Sequence, residues 1–120
     1  MRRQKITVTT AADGTAIAYT PRLSGVVHSI HYVKTDFADG VDFTITAEAT
    51  GEGLWAESNV NASAVRYPRA PTHSQLGVAS LYAAGGTPIL DRPGIANDRV
   101  KISIAQGGSV KSGTFHVLMG

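Results

Sequence analysis

Four histidines are the first candidates for metal chemistry in this sequence, because imidazole is the commonest metal-binding side chain in proteins. His28 and His31 lie in a segment rich in β-branched residues, which favours a strand. Side chains three residues apart on a strand point to opposite faces, so we predict that these two histidines do not share an ion. His73 and His116 are distant in the sequence. We therefore expect surface or hydrogen-bonded histidines and predict no metal site.

Two groups of carboxylates are the next candidates, one resembling a calcium-binding loop and one resembling the acid pair of a glycosidase. The first group lacks the spacing of an EF-hand. The second flanks a glycine-rich turn and has no companion aromatic residues that would bind a sugar. We interpret both groups as turn and surface residues. They are Asp36, Asp39 and Asp42, and Glu48, Glu52 and Glu57.

Sequence motifs of the common enzyme classes are absent. There is no Gly-x-Ser-x-Gly nucleophile elbow, no phosphate-binding P-loop and no dinucleotide-binding glycine pattern. The chain has no cysteine, which excludes disulfides, thiolate nucleophiles and thiolate metal ligands. We expect that the protein is not an enzyme and that it uses no cofactor.

Length and composition indicate one domain, residues 1–120. Hydrophobic residues make up 42% and charged residues 17% of the chain, which is ordinary for a folded protein. The 11 Lys and Arg residues against 9 Asp and Glu residues leave a net charge of +2, so we expect no direct nucleic-acid binding. No apolar run is long enough for a membrane span or a signal peptide, and we expect no membrane contact.

Alternation of apolar and polar residues is the dominant pattern of the elements that must position these side chains. It is cleanest between Val41 and Ala49, where every odd position is apolar, as in a half-buried antiparallel strand. Glycine-containing turn signals separate the alternating segments. The predicted strands are Lys5–Thr9, Thr15–Thr20, Gly25–Val33, Val41–Ala49, Leu54–Val60, Arg99–Ala105 and Thr114–Met119.

Short strands without repeated helical segments predict an all-β fold, an antiparallel β-sandwich or jelly roll of about seven or eight strands. The last two predicted strands are expected to form a hairpin. Residues 61–97 contain four prolines and read as a long loop excursion, in which Leu76 to Ala84 could form one short helix. Trp55 is expected to be a core residue or an interface anchor.

Two stretches, Tyr32–Thr44 and Ala96–Ile102, resemble small structural proteins of tailed bacteriophage virions, and the resemblance extends over nearly the whole chain. It implies first a capsid decoration (cement) protein, which binds the assembled lattice of the major capsid protein and stabilises the head. Such proteins are commonly homo-oligomers, trimers or dimers. The resemblance places the protein on the capsid exterior after synthesis in the host cytoplasm.

Two segments are candidates for contacts in such a shell. Residues 1–5 form a basic N-terminal segment, which is a candidate for an extended conformation. The excursion of residues 61–97 carries arginines that can make bidentate pairs with acidic surfaces of a neighbouring subunit, or that simply keep the loop solvated. The candidate contact residues are Arg2, Arg3, Lys5, Arg66, Tyr67, Arg69 and Arg92.

Other functions fit the same pattern. A neck or tail structural component of the virion is the nearest alternative. A host-surface or glycan-binding β module is another, since a β-sandwich with exposed aromatic residues supports it. Tyr19, Tyr67 and Tyr82 are the aromatic residues that such a module would use.

Overall fold

A computed structural model describes residues 1–120, and the predicted all-β fold is confirmed. The chain contains no helix of the length and apolarity that a bilayer crossing requires. The strands are β1 (Arg2–Thr9), β2 (Ala16–Tyr19), β3 (Leu23–Lys34), β4 (Val41–Ala47), β5 (Gly53–Val60), β6 (Ala64–Arg66), β7 (Ala70–Pro71), β8 (Leu90–Asp91), β9 (Gly94–Asp98), β10 (Val100–Ala105) and β11 (Ser112–Met119).

The strands form two main antiparallel sheets and one small ribbon. The first sheet has the order β1-β11-β3-β6, and β9 pairs with the beginning of β3. The second sheet has the order β2-β10-β4-β5, and β7 pairs with β8 in the ribbon. Each of the seven segments predicted as strands overlaps one strand of these two sheets, and β1 and β3 extend furthest beyond the predicted bounds.

The strand pairs are nested along the chain in the manner of a jelly roll. β4 pairs with β5, β3 with β6, β2 with β10 and β1 with β11. From the innermost pair outward, the pairs alternate between the two sheets. The pairs β1·β11 and β3·β6 lie in the first sheet, and β2·β10 and β4·β5 lie in the second. Two facing sheets connected in this way form a double Greek key, which is a jelly roll.

The core lies between the two sheets. Along β4 the alternate residues Val41, Phe43, Ile45 and Ala47 point inward and are 0–3% exposed, as the alternation predicts. Aromatic rings join the sheets, because the centroid of Phe43 lies 4.6 Å from that of Tyr32 on β3 and 5.0 Å from that of Phe115 on β11. One cluster of 19 buried hydrophobic residues fills the space between the sheets.

The predicted hairpin between the last two long strands is wrong. β10 pairs with β2 and β4 in the second sheet, whereas β11 pairs with β1 and β3 in the first sheet. The intervening loop crosses from one sheet to the other, over a gap of about 10 Å between facing sheets. Gly107 anchors this crossing, because its N–H donates to Gly14 O at 2.9 Å and its carbonyl accepts from Ala38 N at 3.0 Å.

The long excursion is an ordered projection. Residues 69–92, which we call the arm, leave and re-enter the sandwich at Pro68 and Pro93, both buried, and no arm residue is buried. The short helix predicted within Leu76–Ala84 is wrong, since these residues form turns and isolated β-bridges. The molecule measures 50 × 29 × 23 Å with a radius of gyration of 15.7 Å, against about 13.6 Å for a compact chain of this length. The projecting arm accounts for this elongation.

Candidate functional site

The arm consists of a short stem and two turns, which we call the first lobe (residues 73–79) and the second lobe (residues 81–88). The stem is the β7·β8 ribbon. His73 and Ala79 close the first lobe as a β-bridge, and Leu81 and Pro88 close the second. Backbone hydrogen bonds join the lobes to the stem, from Thr72 N to Ile89 O (3.2 Å), Ser80 N to Thr72 O (2.9 Å) and Ile89 N to Ser80 O (2.9 Å).

Large apolar side chains of both lobes are exposed. Leu76 is 85% and Val78 68% exposed in the first lobe, and Tyr82 is 76% exposed in the second. Leu90 on the stem is also exposed. Several large apolar side chains on one projecting element are typical of a protein interaction site, whereas single ones scattered over a surface are ordinary. The arm is therefore the principal candidate site of the molecule.

Arg66, a predicted contact residue, is bound within its own chain. Its Nε and Nη2 atoms donate to the two carboxylate oxygens of Glu57, each at 2.9 Å. Trp55 Nε1 donates to the same Glu57 at 3.0 Å, and the Arg66 guanidinium carbon lies 5.4 Å from the centroid of the Trp55 ring. Trp55 is only 6% exposed and packs edge-on against Phe43, so of its two predicted places, the core or an interface, the structure shows the core. The ion pair of Arg66 with Glu57 thus links β6 of the first sheet to β5 of the second sheet.

Three other predicted contact residues lie at the root of the arm. Tyr67 packs edge-on against His28, with ring centroids 5.9 Å apart, and remains half exposed. Arg69 donates from Nη1 to Pro68 O at 2.7 Å. Arg92 is exposed, and none of the ion pairs of the chain includes Arg69 or Arg92. The structure therefore places two guanidinium groups that are in no ion pair where the arm meets the sandwich.

The basic start of the chain belongs to the first sheet. Arg2, Arg3 and Lys5 lie in β1, which is an edge strand paired along its whole length with β11. All three side chains are exposed. Charged side chains on an edge strand oppose unwanted pairing with other strands, which gives these residues a role in the fold itself.

His28 and His31 reach the same hydroxyl group, contrary to the prediction that they lie on opposite faces. β3 pairs Ser29 with Leu118 and Val27 with Met119, so His28 is the extra residue of a β-bulge. His28 Nδ1 lies 3.0 Å and His31 Nε2 lies 3.4 Å from the Ser29 hydroxyl oxygen. The bulge interrupts the strict alternation on which the prediction depended.

His31 is also paired with His116 on the neighbouring strand. The Nδ1 atom of His116 is buried without a hydrogen-bond partner. Burial, followed by the charges of Arg3, Lys5 and His31, lowers the pKa of His116 below its usual value. A shallow concavity on this face is lined by Arg3, His31, Val33, His116 and Leu118.

The carboxylates predicted as turn and surface residues have separate partners. Asp36 accepts from Ser112 N, Asp39 pairs with Lys34, and Asp42 accepts from Asn59 N. Glu48 forms a bidentate pair with Arg99, and Glu57 forms the pair with Arg66 described above. No group of three or more histidine and carboxylate side chains lies close enough together to hold a metal ion.

The three tyrosines considered for glycan binding lie on three different elements. Tyr19 on β2 is covered by Arg99, whose guanidinium carbon lies 4.1 Å from the ring centroid. Tyr67 packs against His28 before the arm, and Tyr82 is free on the second lobe. The described contacts do not join them into one aromatic platform.

Sequence reasoning missed the apolar lobes of the arm. The helix predicted within Leu76–Ala84 gives Leu76 a packing role and Val78 no role, and Tyr82 is considered only as an aromatic residue for glycan binding. The signal that could have identified two turns is the spacing of glycines, since Gly77 and Gly85 have φ angles of +81° and +68°. A positive φ angle favours glycine and is incompatible with a helix.

Comparisons with protein-family models, with curated proteins and with solved structures gave no match to this chain.

Proposed function

We propose that this protein is a virion structural protein, and specifically a capsid decoration protein that binds the assembled lattice of the major capsid protein and stabilises the head. The observation that carries the proposal is the arm, with Leu76, Val78 and Tyr82 exposed at its lobes. The resemblance of Tyr32–Thr44 and Ala96–Ile102 to phage structural proteins supports the choice of a virion as the setting.

Burial of the lobes supplies the binding energy in this proposal. Full burial of a Val or Leu side chain contributes about 1.5–3 kcal/mol relative to exposure. Leu76 and Val78 lie in one lobe and Tyr82 in the other, so a partner surface that covers the end of the arm removes all three from water. Apolar and aromatic anchors of this kind dominate the energy of protein interfaces.

Arg69 and Arg92 add a separate polar contact in this proposal. Their position at the root of the arm allows charge-assisted hydrogen bonds with carboxylates of the partner where the arm meets the sandwich. A protein that binds the assembled lattice but not free capsid subunits shifts the equilibrium toward the assembled shell by mass action. A dimer or trimer around a symmetry axis would present several arms at once.

The copy number and position of the chain in purified virions test this function. Quantitative gel analysis and symmetry-imposed electron cryo-microscopy measure both. The proposal predicts copies in proportion to the capsomers, on the outer surface of the head, with the arm against a capsid subunit. A few copies at a vertex or in the tail would overturn it in favour of a neck, tail or receptor-binding component, and absence from the particle would exclude all of these roles.

A further inference from the structure

The register of the first sheet places three titratable side chains in one row on its outer face. Lys5 of β1 is paired with His116 of β11, and His116 is paired with His31 of β3. The residues on either side of His116 along the strand, Phe115 and Val117, are fully buried, so His116 points away from the core. Side chains opposite each other on antiparallel strands have Cβ atoms about 4.5–5.5 Å apart. The row is therefore a continuous polar strip.

Arg3 adds a guanidinium group beside this row. It is paired with Leu118, two residues along β11 from His116 and hence on the same face. No carboxylate lines the concavity that Arg3, His31 and His116 share, and none of the ion pairs of the chain includes Arg3 or Lys5. The local field is set by cations, so it attracts an anion and repels a metal ion.

The ring of His116 has one nitrogen available to a ligand. Nδ1 is buried and unpaired, which leaves Nε2 as the nitrogen that can bond a group in the concavity. A buried unpaired acceptor costs less than a buried unpaired N–H, so the neutral ring places its proton on Nε2. His116 can therefore donate a hydrogen bond to an anion even when it is uncharged.

Protonation and anion binding are coupled at this position. Burial lowers the pKa of His116, and the charged and titratable groups that face it, Arg3 and Lys5 from β1 and His31 from β3, lower it further. A bound anion offsets these charges and raises the pKa of His116. Binding then takes up protons around and below the ordinary histidine pKa of about 6.5, so affinity increases as pH falls.

We propose that this concavity is a binding site for an oxyanion, a carboxylate or phosphate group, held by Arg3, His31 and His116. The guanidinium of Arg3 supplies the paired donors that match two oxygens of such a group. The two histidine rings supply further donors, and the protonation of His116 makes binding depend on pH. The site lies on the sandwich and is independent of the arm and of the proposed role in a capsid.

Titration of the histidine ring signals of the full chain by NMR tests the site. Sodium sulfate serves as a tetrahedral oxyanion of constant charge, sodium acetate as a carboxylate, and sodium chloride at matched ionic strength as the control. We expect saturable shifts of the His31 and His116 signals, with an affinity several-fold higher at about pH 5.5 than at about pH 7.5. Tighter binding of sulfate identifies a phosphate-type ligand, and tighter binding of acetate identifies a carboxylate.

Two variants and a control locate the effect. Arg3→Gln weakens binding about tenfold, the effect of one charge-assisted contact, and His116→Gln reduces the pH dependence. Lys101→Gln removes a cation from the second sheet and leaves binding unchanged, since Lys101 is remote from the strands of the concavity. Shifts that increase linearly and equal those in chloride, or binding that Arg3→Gln leaves intact, overturn the proposal.

Discussion

The sandwich and the arm differ in what stabilises them. In the sandwich, 19 buried hydrophobic residues form a single cluster between two sheets. In the arm, residues 69–92 include no buried side chain, and its regular contacts are short stretches of backbone hydrogen bonding. Small ribbons without a hydrophobic face against a core are only marginally stable in water. The apolar side chains of the arm therefore contribute little to folding, which is the physical basis of the binding role proposed for them.

The largest effect on stability is expected in the centre of the sandwich. Phe43→Ala removes the ring that contacts Tyr32, Trp55 and Phe115 and leaves a cavity between the sheets. We expect the free energy of unfolding to fall by about 3–5 kcal/mol, measured by urea denaturation. Thr44→Ala is the matched control, because Thr44 is the exposed neighbour on the same strand. An equal effect of the two variants would contradict the assignment of stability to this core.

A smaller effect, of opposite sign, is expected at the hydroxyl of Tyr32. This group is buried without a hydrogen-bond partner, and burial, followed by the charge of Asp39, raises its pKa to about 12. Tyr32→Phe removes the unpaired polar atom and keeps the ring, so stability should stay the same or increase by up to about 1 kcal/mol.

Thermal unfolding measures this difference. Tyr67→Phe is the control, because Tyr67 is half exposed and its hydroxyl is not buried without a partner. A loss of more than about 1.5 kcal/mol in Tyr32→Phe would show that the hydroxyl makes a stabilising hydrogen bond.

The smallest effect on stability is expected in the arm. The triple variant Leu76→Ser, Val78→Ser and Tyr82→Ser changes side chains that are 68–85% exposed. Unfolding should shift by no more than about 0.5 kcal/mol for each substitution, as for other surface positions. Binding to the particle should be lost, as judged by co-sedimentation of added protein with virions that lack it.

Matched substitutions on the sandwich sharpen this test. Ile17→Ser and Val110→Ser change exposed apolar residues outside the arm. They should leave co-sedimentation unchanged. Equal loss of binding in both sets would indicate that exposed apolar residues bind the particle without regard to position.

The strands were predictable because alternation follows from burial of one face. Val41 to Ala47 shows this directly, since its apolar positions are the buried ones. The pairing partners of β10 and β11 were not predictable in the same way, because each strand would show the same alternation of apolar and polar residues in either sheet. Choice of partner depends on long-range packing, as in the crossing at Gly107, which local sequence does not show.

The contacts of His28 and the form of the arm were not predictable from the sequence, for different reasons. The bulge at His28 is a change of register between two strands, which places His28 and His31 at one hydroxyl without any unusual residue. The arm was obscured by helix propensity, since Leu76 to Ala84 is rich in alanine and leucine. Helix formation would need an apolar face to pack against the core, and the arm has no contact of this kind.

Hydrogen–deuterium exchange tests most directly the claim that folding and binding belong to different regions. It should be measured by mass spectrometry on the free chain and on the chain bound in virions. We predict that amides of residues 72–89 exchange much faster than those of β3 and β11 in the free chain, and that the arm gains the most protection on binding. Protection gained mainly on the sandwich, with the arm still exchanging fast in the particle, would contradict this account.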